Sequence, residues 1–299
     1  MSFRTVVIKN RCKLDLRMGY LVVRLENDVK RIFLDEINTV IIENTACCVT
    51  VSLLAELTER KIKVIFCDEK HFPSAELLPC YGHSECAGKL REQMQWDADF
   101  CNLLWTRIVA EKIHNQALYL RERGKVDEMQ MLESYVDELH TGDTSNREGH
   151  AAKVYFNAIF GKDFKRGDGG AVDSALNYGY TLILSSFSRE IVACGFSTQL
   201  GIAHHNVFNH FNLSCDLMEP FRIFVDRWVG AFDFCKFDSD EKYRLLEIFD
   251  QPFFIGGETR RLDDCIKIYV HSVLKAISCK EISCVKFCSW AGSGTLVQR

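Results

Sequence analysis

The sequence predicts an α+β protein: an N-terminal β-rich, sandwich-like domain followed by a larger all-α C-terminal domain. Three observations carry this reading. The first seventy residues hold short β-branched and apolar runs separated by turn residues. A stretch at 72–87 carries Pro73, Pro79 and Gly82, and so two of the chain's four prolines. Beyond it, apolar residues recur at helical spacing. The expected boundaries are 1–70 for the β-rich domain, 71–87 for a linker and 88–299 for the helical domain.

In chain order, residues 5–9, 12–17, 20–26, 30–33 and 39–42 read as strands, and Asn10-Arg11, Met18-Gly19 and Asn27-Asp28 as the turns between the first four. Their close spacing predicts antiparallel pairing. Thr50 stands where it can cap a helix at 51–60, whose Leu53, Leu54 and Leu57 form a stripe. Residues 63–67 are a further strand. Residues 90–123 read as one long amphipathic helix, with Trp96, Phe100, Leu103, Leu104, Ile108 and Ile113 at roughly helical spacing, ended by Gly124. Helices are expected at 125–140, 146–160, 172–195, 213–228, 240–249 and 262–278. Gly292-Ser293-Gly294 reads as a flexible tail.

Composition narrows the function classes. Apolar residues are 47% and charged residues 26% of the 299, which is globular and argues against disorder. Lys+Arg 37 against Asp+Glu 41 leaves a net charge of −4. No overall positive field advertises nucleic acid, so a DNA reading must rest on a local patch. Fourteen cysteines in 299 residues fall below the roughly 8–10% of a disulfide scaffold. Met1-Ser2-Phe3-Arg4 runs straight into a strand-like segment, and no apolar run approaches membrane-spanning length. A cytoplasmic, reducing location is expected, with Cys47, Cys67, Cys194 and Cys235 as small core residues.

Three places can carry chemistry. Ser145-Asn146-Arg147-Glu148 reads either as a capping box or as a buried helix start presenting Glu148 as a ligand. Leu200-Gly201-Ile202-Ala203-His204-His205-Asn206 places two histidines in a glycine-bounded segment; at most one of them can serve a given metal site. In the third, residues 213–222, Asp216 and Glu219 lie three apart and Asp226 extends their helical face. The face is a wet surface or a ligand face. Pro220 starts or kinks a helix there and turns Glu219 from an ordinary helical direction. Two carboxylates and one imidazole suit Mg²⁺ or Mn²⁺, the ions of phosphodiester chemistry.

These residues also carry a resemblance. Leu200 to His204, with Phe211-Asn212-Leu213-Ser214-Cys215-Asp216-Leu217-Met218-Glu219-Pro220-Phe221-Arg222, resembles the CRISPR-associated adaptation endonuclease, the integrase of spacer acquisition, in its type II branch. Leu104-Trp105 with residues 108–109 and 112–116 resembles the family's long first helix, Arg147 to Ala152 its first metal motif, and Ala175 to Tyr180 its central helix. The likeness spans essentially the whole chain.

The resemblance implies a metal-dependent DNA endonuclease and integrase whose catalytic domain is the helical one. It would join the 3′-OH ends of captured double-stranded DNA to the repeat of a CRISPR array by transesterification. It implies Glu148, His204 and Glu219 as metal ligands and catalytic residues for Mg²⁺ or Mn²⁺, with Asp216 the competitor for the third place. It implies a homodimer, two of which flank a dimer of the small second adaptation protein, and a role for the effector nuclease in choosing DNA. His205 and Arg222 are expected at DNA or a ligand, and Lys162, Lys165 and Arg166 form the best basic loop for a phosphate backbone. Two rivals stand beside this reading. One is a non-catalytic DNA-binding scaffold. The other is a zinc protein using Cys279, Cys284 and Cys288, which lack paired C-x₂-C spacing.

Overall fold

The computed structural model describes residues 4–77, 84–232 and 236–290. Pro79 and Gly82 of the expected linker, Cys235 and the Gly292–Gly294 tail lie outside the described residues. The chain divides into two compact units, Met1–Ser84 and Glu85–Arg299. No helix among the described residues is long and apolar enough to cross a membrane.

The N-terminal unit contains strands β1 (Arg4–Ile8), β2 (Lys13–Arg17), β3 (Tyr20–Arg24), β4 (Val29–Phe33), β5 (Ile37–Ile42), β6 (Cys48–Val49), β7 (Lys63–Cys67) and β8 (Pro73–Leu77), and helix α1 (Val51–Glu59). They form two four-stranded sheets, in the orders β1-β5-β7-β8 and β4-β3-β2-β6. Alternation in β1 turns Val6 and Ile8 inward. They join Leu14 and Leu21 of the other sheet, and Leu53 and Leu57 of α1, in one core.

Antiparallel pairing holds for β2, β3 and β4. It fails for β1–β5 and β5–β7, which are parallel. Close neighbours in sequence need not pair. The β2–β4 meander separates β1 from β5, and α1 crosses between β5 and β7, so both connections are long enough for parallel strands. Residues 73–77, expected as linker, pair antiparallel with β7. Thr50 occupies the α1 N-cap, but its side chain makes no capping hydrogen bond.

The C-terminal unit is mostly helical: α2 (Cys86–Met94), α3 (Ala98–Glu122), α4 (Val126–Asp137), α5 (Arg147–Phe160), α6 (Ala171–Ala193), α7 (Asn212–Met218), α8 (Arg222–Gly230), α9 (Ser239–Leu246) and α10 (Leu262–Cys279). The helix expected at 90–123 is two. Asp97 is extended and its carboxylate accepts from the Phe100 N–H at 3.0 Å, so α3 starts afresh there. The helix expected at 213–228 also divides, into α7, a 3₁₀ turn at Glu219–Phe221 and α8. The unit also holds a small sheet absent from the sequence reading, β10 (Glu258–Arg260), β9 (Phe253–Ile255) and β11 (Ser289–Trp290), in that order. Phe221 packs between Phe187 of α6, at 5.2 Å between ring centroids, and Tyr269 of α10, at 5.1 Å. That aromatic core fixes the 3₁₀ turn.

Gly179 of α6 marks a close crossing. A Cβ there would lie 2.5 Å from Val225 Cγ1 of α8 and 2.8 Å from Leu245 Cδ2 of α9. Gly179→Ala is therefore expected to lower unfolding stability by about 1–3 kcal/mol, although alanine is the better helix former. Urea titration checks this; an unchanged or raised midpoint would refute the close crossing.

Candidate metal and active site

Four segments of the helical unit build the site. Central helix α3 packs against α4, α5 and α8. Its buried stripe runs through Trp105, Ile108, Val109, Lys112, Ile113 and Gln116. Lys112 is the charged member of that stripe, and a buried ammonium demands anionic partners. It has two. Its Nζ donates to Glu148 Oε1 at 2.6 Å and to Glu219 Oε2 at 2.5 Å. Arg222 Nε donates to the other oxygen of Glu219 at 2.9 Å.

Glu148 is the second residue of α5. The capping box expected around it does not form. Asn146 takes a left-handed backbone, φ 53° and ψ 42°, which removes Ser145 from the capping place. The buried Ser145 hydroxyl has no partner among the described residues. The Asp143 carboxylate caps instead, accepting from Arg147 N at 2.7 Å and Glu148 N at 3.0 Å. The Glu148 side chain is thereby free to reach Lys112.

Glu219 opens the 3₁₀ turn with helical φ −51° and ψ −46°, the α conformation that Pro220 was expected to disfavour. It is 3% exposed. Burial pushes its pKa up, but the charges of Arg222 and Lys112 outweigh burial and bring it to about 2. Burial likewise opposes the charge on Lys112, and the two glutamates more than reverse it.

His204 is positioned by Asp216, a fully buried residue of α7. Asp216 Oδ2 accepts from Ile202 N at 2.7 Å and Ala203 N at 3.1 Å. Its Oδ1 accepts from His204 N at 3.0 Å and His204 Nδ1 at 2.5 Å. An ionised carboxylate only accepts, so the Nδ1 proton is directed to Asp216 and Nε2 carries the lone pair of the neutral ring. The bond to Asp216 raises the His204 pKa most; partial burial opposes it, and the charges of Asp216, Glu219 and Glu148 add to the rise. Gly201 permits this wrap, because a Cβ there would lie 2.4 Å from the His204 carbonyl oxygen and 2.6 Å from Asp216 Oδ2. Trp105 meets the His204 ring edge-on at 5.6 Å.

The arrangement thus brings Glu148 and Glu219 to one cationic atom and holds His204 within their electrostatic reach. Among the described residues, no three His, Cys, Asp or Glu side chains are gathered closely enough to hold an ion. The donors nonetheless fit Mg²⁺ or Mn²⁺ chemically. Two carboxylates from separate helical segments already converge on a cation, and the imidazole is oriented through its other nitrogen, as metal-binding histidines are.

Of the expected DNA contacts, Lys162, Lys165 and His205 are exposed. Arg166 is exposed too, but its guanidinium is engaged by buried Asp173 at 2.5 Å and by Asn177 at 2.7 Å. Arg222 is turned to Glu219 and lies over the Tyr180 ring at 4.8 Å. Sequence reasoning missed Lys112, the clamp role of Asp216 and the Asp143 cap. A lysine inside an apolar helical stripe was the available signal for the first. It also missed Val207 and Phe208, each 88% exposed just beyond the histidine pair. Of the cysteines, Cys67 is buried, whereas Cys47 and Cys194 are half-buried. Cys279 and Cys284 approach at 3.6 Å, while Cys288 bonds the Ser289 carbonyl.

Asp226 of α8 does not reach the carboxylate pair; it accepts from the Tyr180 hydroxyl. Burial raises its pKa to about 6, against hydrogen bonding from Tyr180 and the charge of Arg222. An acid raised in the folded state contributes most below its ordinary pKa, and that contribution is lost as pH rises through the folded value. Wild-type stability is therefore expected to fall between about pH 4 and pH 6 through this group, and Asp226→Asn to flatten that slope. Urea stability across that range checks it; parallel profiles would refute it.

The sequence model of the family described as CRISPR associated protein Cas1 matches residues 5–232. A CRISPR-associated endonuclease Cas1 of Neisseria meningitidis serogroup C is 34% identical over 226 residues, covering 76% of this chain and 74% of that protein. Two solved structures share the fold. A casposase bound to integration product gives a TM-score of 0.75 at 15% identity, over 100% of this chain and 96% of that one. A Cas6-RT-Cas1–Cas2 complex gives 0.73 at 18% identity, over 94% of this chain and 36% of that longer one. With most of its length matched by the family and by a close relative, this chain belongs to the CRISPR-associated Cas1 family.

Proposed function

We propose that this chain is a metal-dependent DNA endonuclease and integrase of CRISPR adaptation, with residues 88–299 as its catalytic domain. The observation that carries the proposal is the meeting of Glu148 and Glu219 at one cation beside an Asp216-clamped His204. Glu148, His204 and Glu219 would hold Mg²⁺ or Mn²⁺. When bound, the ion supplies Lewis-acid stabilisation of a phosphate and activation of a hydroxyl. Asp216 serves the imidazole rather than the ion. Arg222 holds one oxygen of Glu219 and so orients the other.

In the joining step, the 3′ oxygen of captured DNA forms a bond to a phosphorus of the repeat. The bond from that phosphorus to its own 3′ oxygen breaks, and that oxygen takes up a proton. One phosphodiester replaces another, so no energy source and no protein nucleophile are needed. Buried Trp105 packs edge-on against His204 and steadies the imidazole. Lys162 and Lys165 supply backbone contacts, and Phe208 offers a face on which a base can stack. One structural relative is bound to an integration product and another sits in a complex with Cas2, which supports double-stranded DNA and a small second adaptation protein as partners. Edge strand β4, with half-exposed Val29 and Phe33, supports a homodimer. The type II resemblance adds the effector nuclease to this set.

A strand-joining assay tests the reading, with a 3′-OH duplex, a plasmid bearing a repeat array, Mn²⁺ or Mg²⁺ and the small partner. His204→Ala and Glu219→Gln are each expected to lower joining by at least about 10²-fold, as is EDTA. Joining that survives in both variants would move the site elsewhere. No joining by folded, DNA-binding wild type would favour the scaffold. Lys162→Ala with Lys165→Ala is expected to weaken DNA binding and reduce the salt slope by about 2. Arg166→Ala should lower stability instead, since it removes the cationic partner of buried Asp173. An unchanged salt slope in the double variant would remove the loop from the DNA path.

A further inference from the structure

Lys112 stands where two ligands of the proposed ion meet. Its side chain is 10% exposed and that of Glu219 only 4%. The ammonium holds one oxygen of each glutamate at 2.6 and 2.5 Å. Arg222 contacts the opposite oxygen of Glu219. Lys112 and Arg222 therefore supply two positive charges against the two negative charges of Glu148 and Glu219. The pairs are neutral without any metal. Two facing carboxylates would otherwise repel and splay apart, because like charges in a buried place are strongly unfavourable. A divalent ion held by the same two carboxylates would exclude an ammonium resting between them, by space and by charge.

We infer that Lys112 is the built-in counter-ion of this site: it holds Glu148 and Glu219 together in the metal-free protein, and it is exchanged for the divalent ion when that ion binds. The inference deepens the metal-dependent reading and rests on it. Lysine suits the exchange better than arginine. Its charge is compact, its four-carbon stem flexible, and it has no planar fork to lock onto a carboxylate. The exchange keeps the carboxylates preorganised, so the ion meets ligands already brought together. It also makes the lysine a competitor, so ion affinity is lower than the ligand set alone would provide. Lys112 is on this account a positioning residue, acting through the two glutamates.

Calorimetric titration of Mn²⁺ into chelator-stripped full-length protein tests this without reference to activity. Lys112→Met is expected to bind Mn²⁺ at least about tenfold more tightly than wild type. Its melting temperature in EDTA should fall below that of wild type, and saturating Mn²⁺ should recover most of the loss. Lys275→Met, at an exposed position of α10, should match wild type in both measurements. Glu219→Gln should abolish the tight binding in either background. Mn²⁺ binding that depends on Glu219 but is unchanged or weaker in Lys112→Met would overturn this inference and leave the metal reading standing. No Mn²⁺ binding by wild type or Lys112→Met would overturn both. Should Lys112→Met fail to fold, wild type labelled with ¹⁵N at lysine Nζ decides. Its Lys112 ammonium signal, assigned with Lys112→Arg, must shift or vanish as Mg²⁺ saturates. A signal unmoved at saturation would overturn the exchange.

Discussion

A buried ammonium between two carboxylates organises the helical unit. Lys112 comes from α3, Glu148 from the first turn of α5, and Glu219 from the 3₁₀ turn that joins α7 to α8. None of these segments could bury its charge alone, since an isolated ion in such a place costs several kcal/mol. Brought together, they satisfy one another, and α3 is tied to its neighbours at one point. The aromatic ring of Phe221 anchors the 3₁₀ turn from below through Phe187 and Tyr269. The carboxylates thus have little freedom in direction.

A second carboxylate sets the imidazole. Asp216 takes four N–H donors from three consecutive residues, and a glycine at 201 lets the chain curl closely enough to deliver them. Asp216 and Glu219 lie three residues apart on almost the same backbone, yet they do different work. One is committed to the segment that carries His204. The other is committed to cations. Division of labour between neighbouring acids comes from what faces each of them, and spacing cannot distinguish it. Arg222 and Arg166 teach the same lesson for cations. Both were candidates for phosphate, and both are engaged by buried acids, Arg222 by Glu219 and Arg166 by Asp173.

Charge balance also reconciles an acidic chain with the nucleic-acid site proposed for it. The net charge of −4 says nothing about the immediate surroundings of Glu148 and Glu219, where two cations cancel two anions. Exposed Lys162 and Lys165 are left to act on the outside. Local pairing, rather than global charge, decides what an approaching phosphate meets.

Much of this was legible in the sequence. Alternating β-branched runs followed by helical periodicity determined the division into a strand-rich and a mostly helical part, because the two periods cannot be exchanged. Glu148, His204, Asp216 and Glu219 could be named as candidates, because polar groups bounded by apolar runs must find partners. Tertiary structure alone decided the rest. Parallel pairing of β1 with β5 arises from which strands the sandwich brings side by side, and local spacing does not record that. The break at Asp97 and the cap by Asp143 depended on which of several carboxylates the fold holds against a helix start. Lys112 looked like one lysine among many until α3 was seated against α5 and the 3₁₀ turn. Its role exists only where three distant parts of the chain meet, since a buried charge is defined by its partners and not by its own identity.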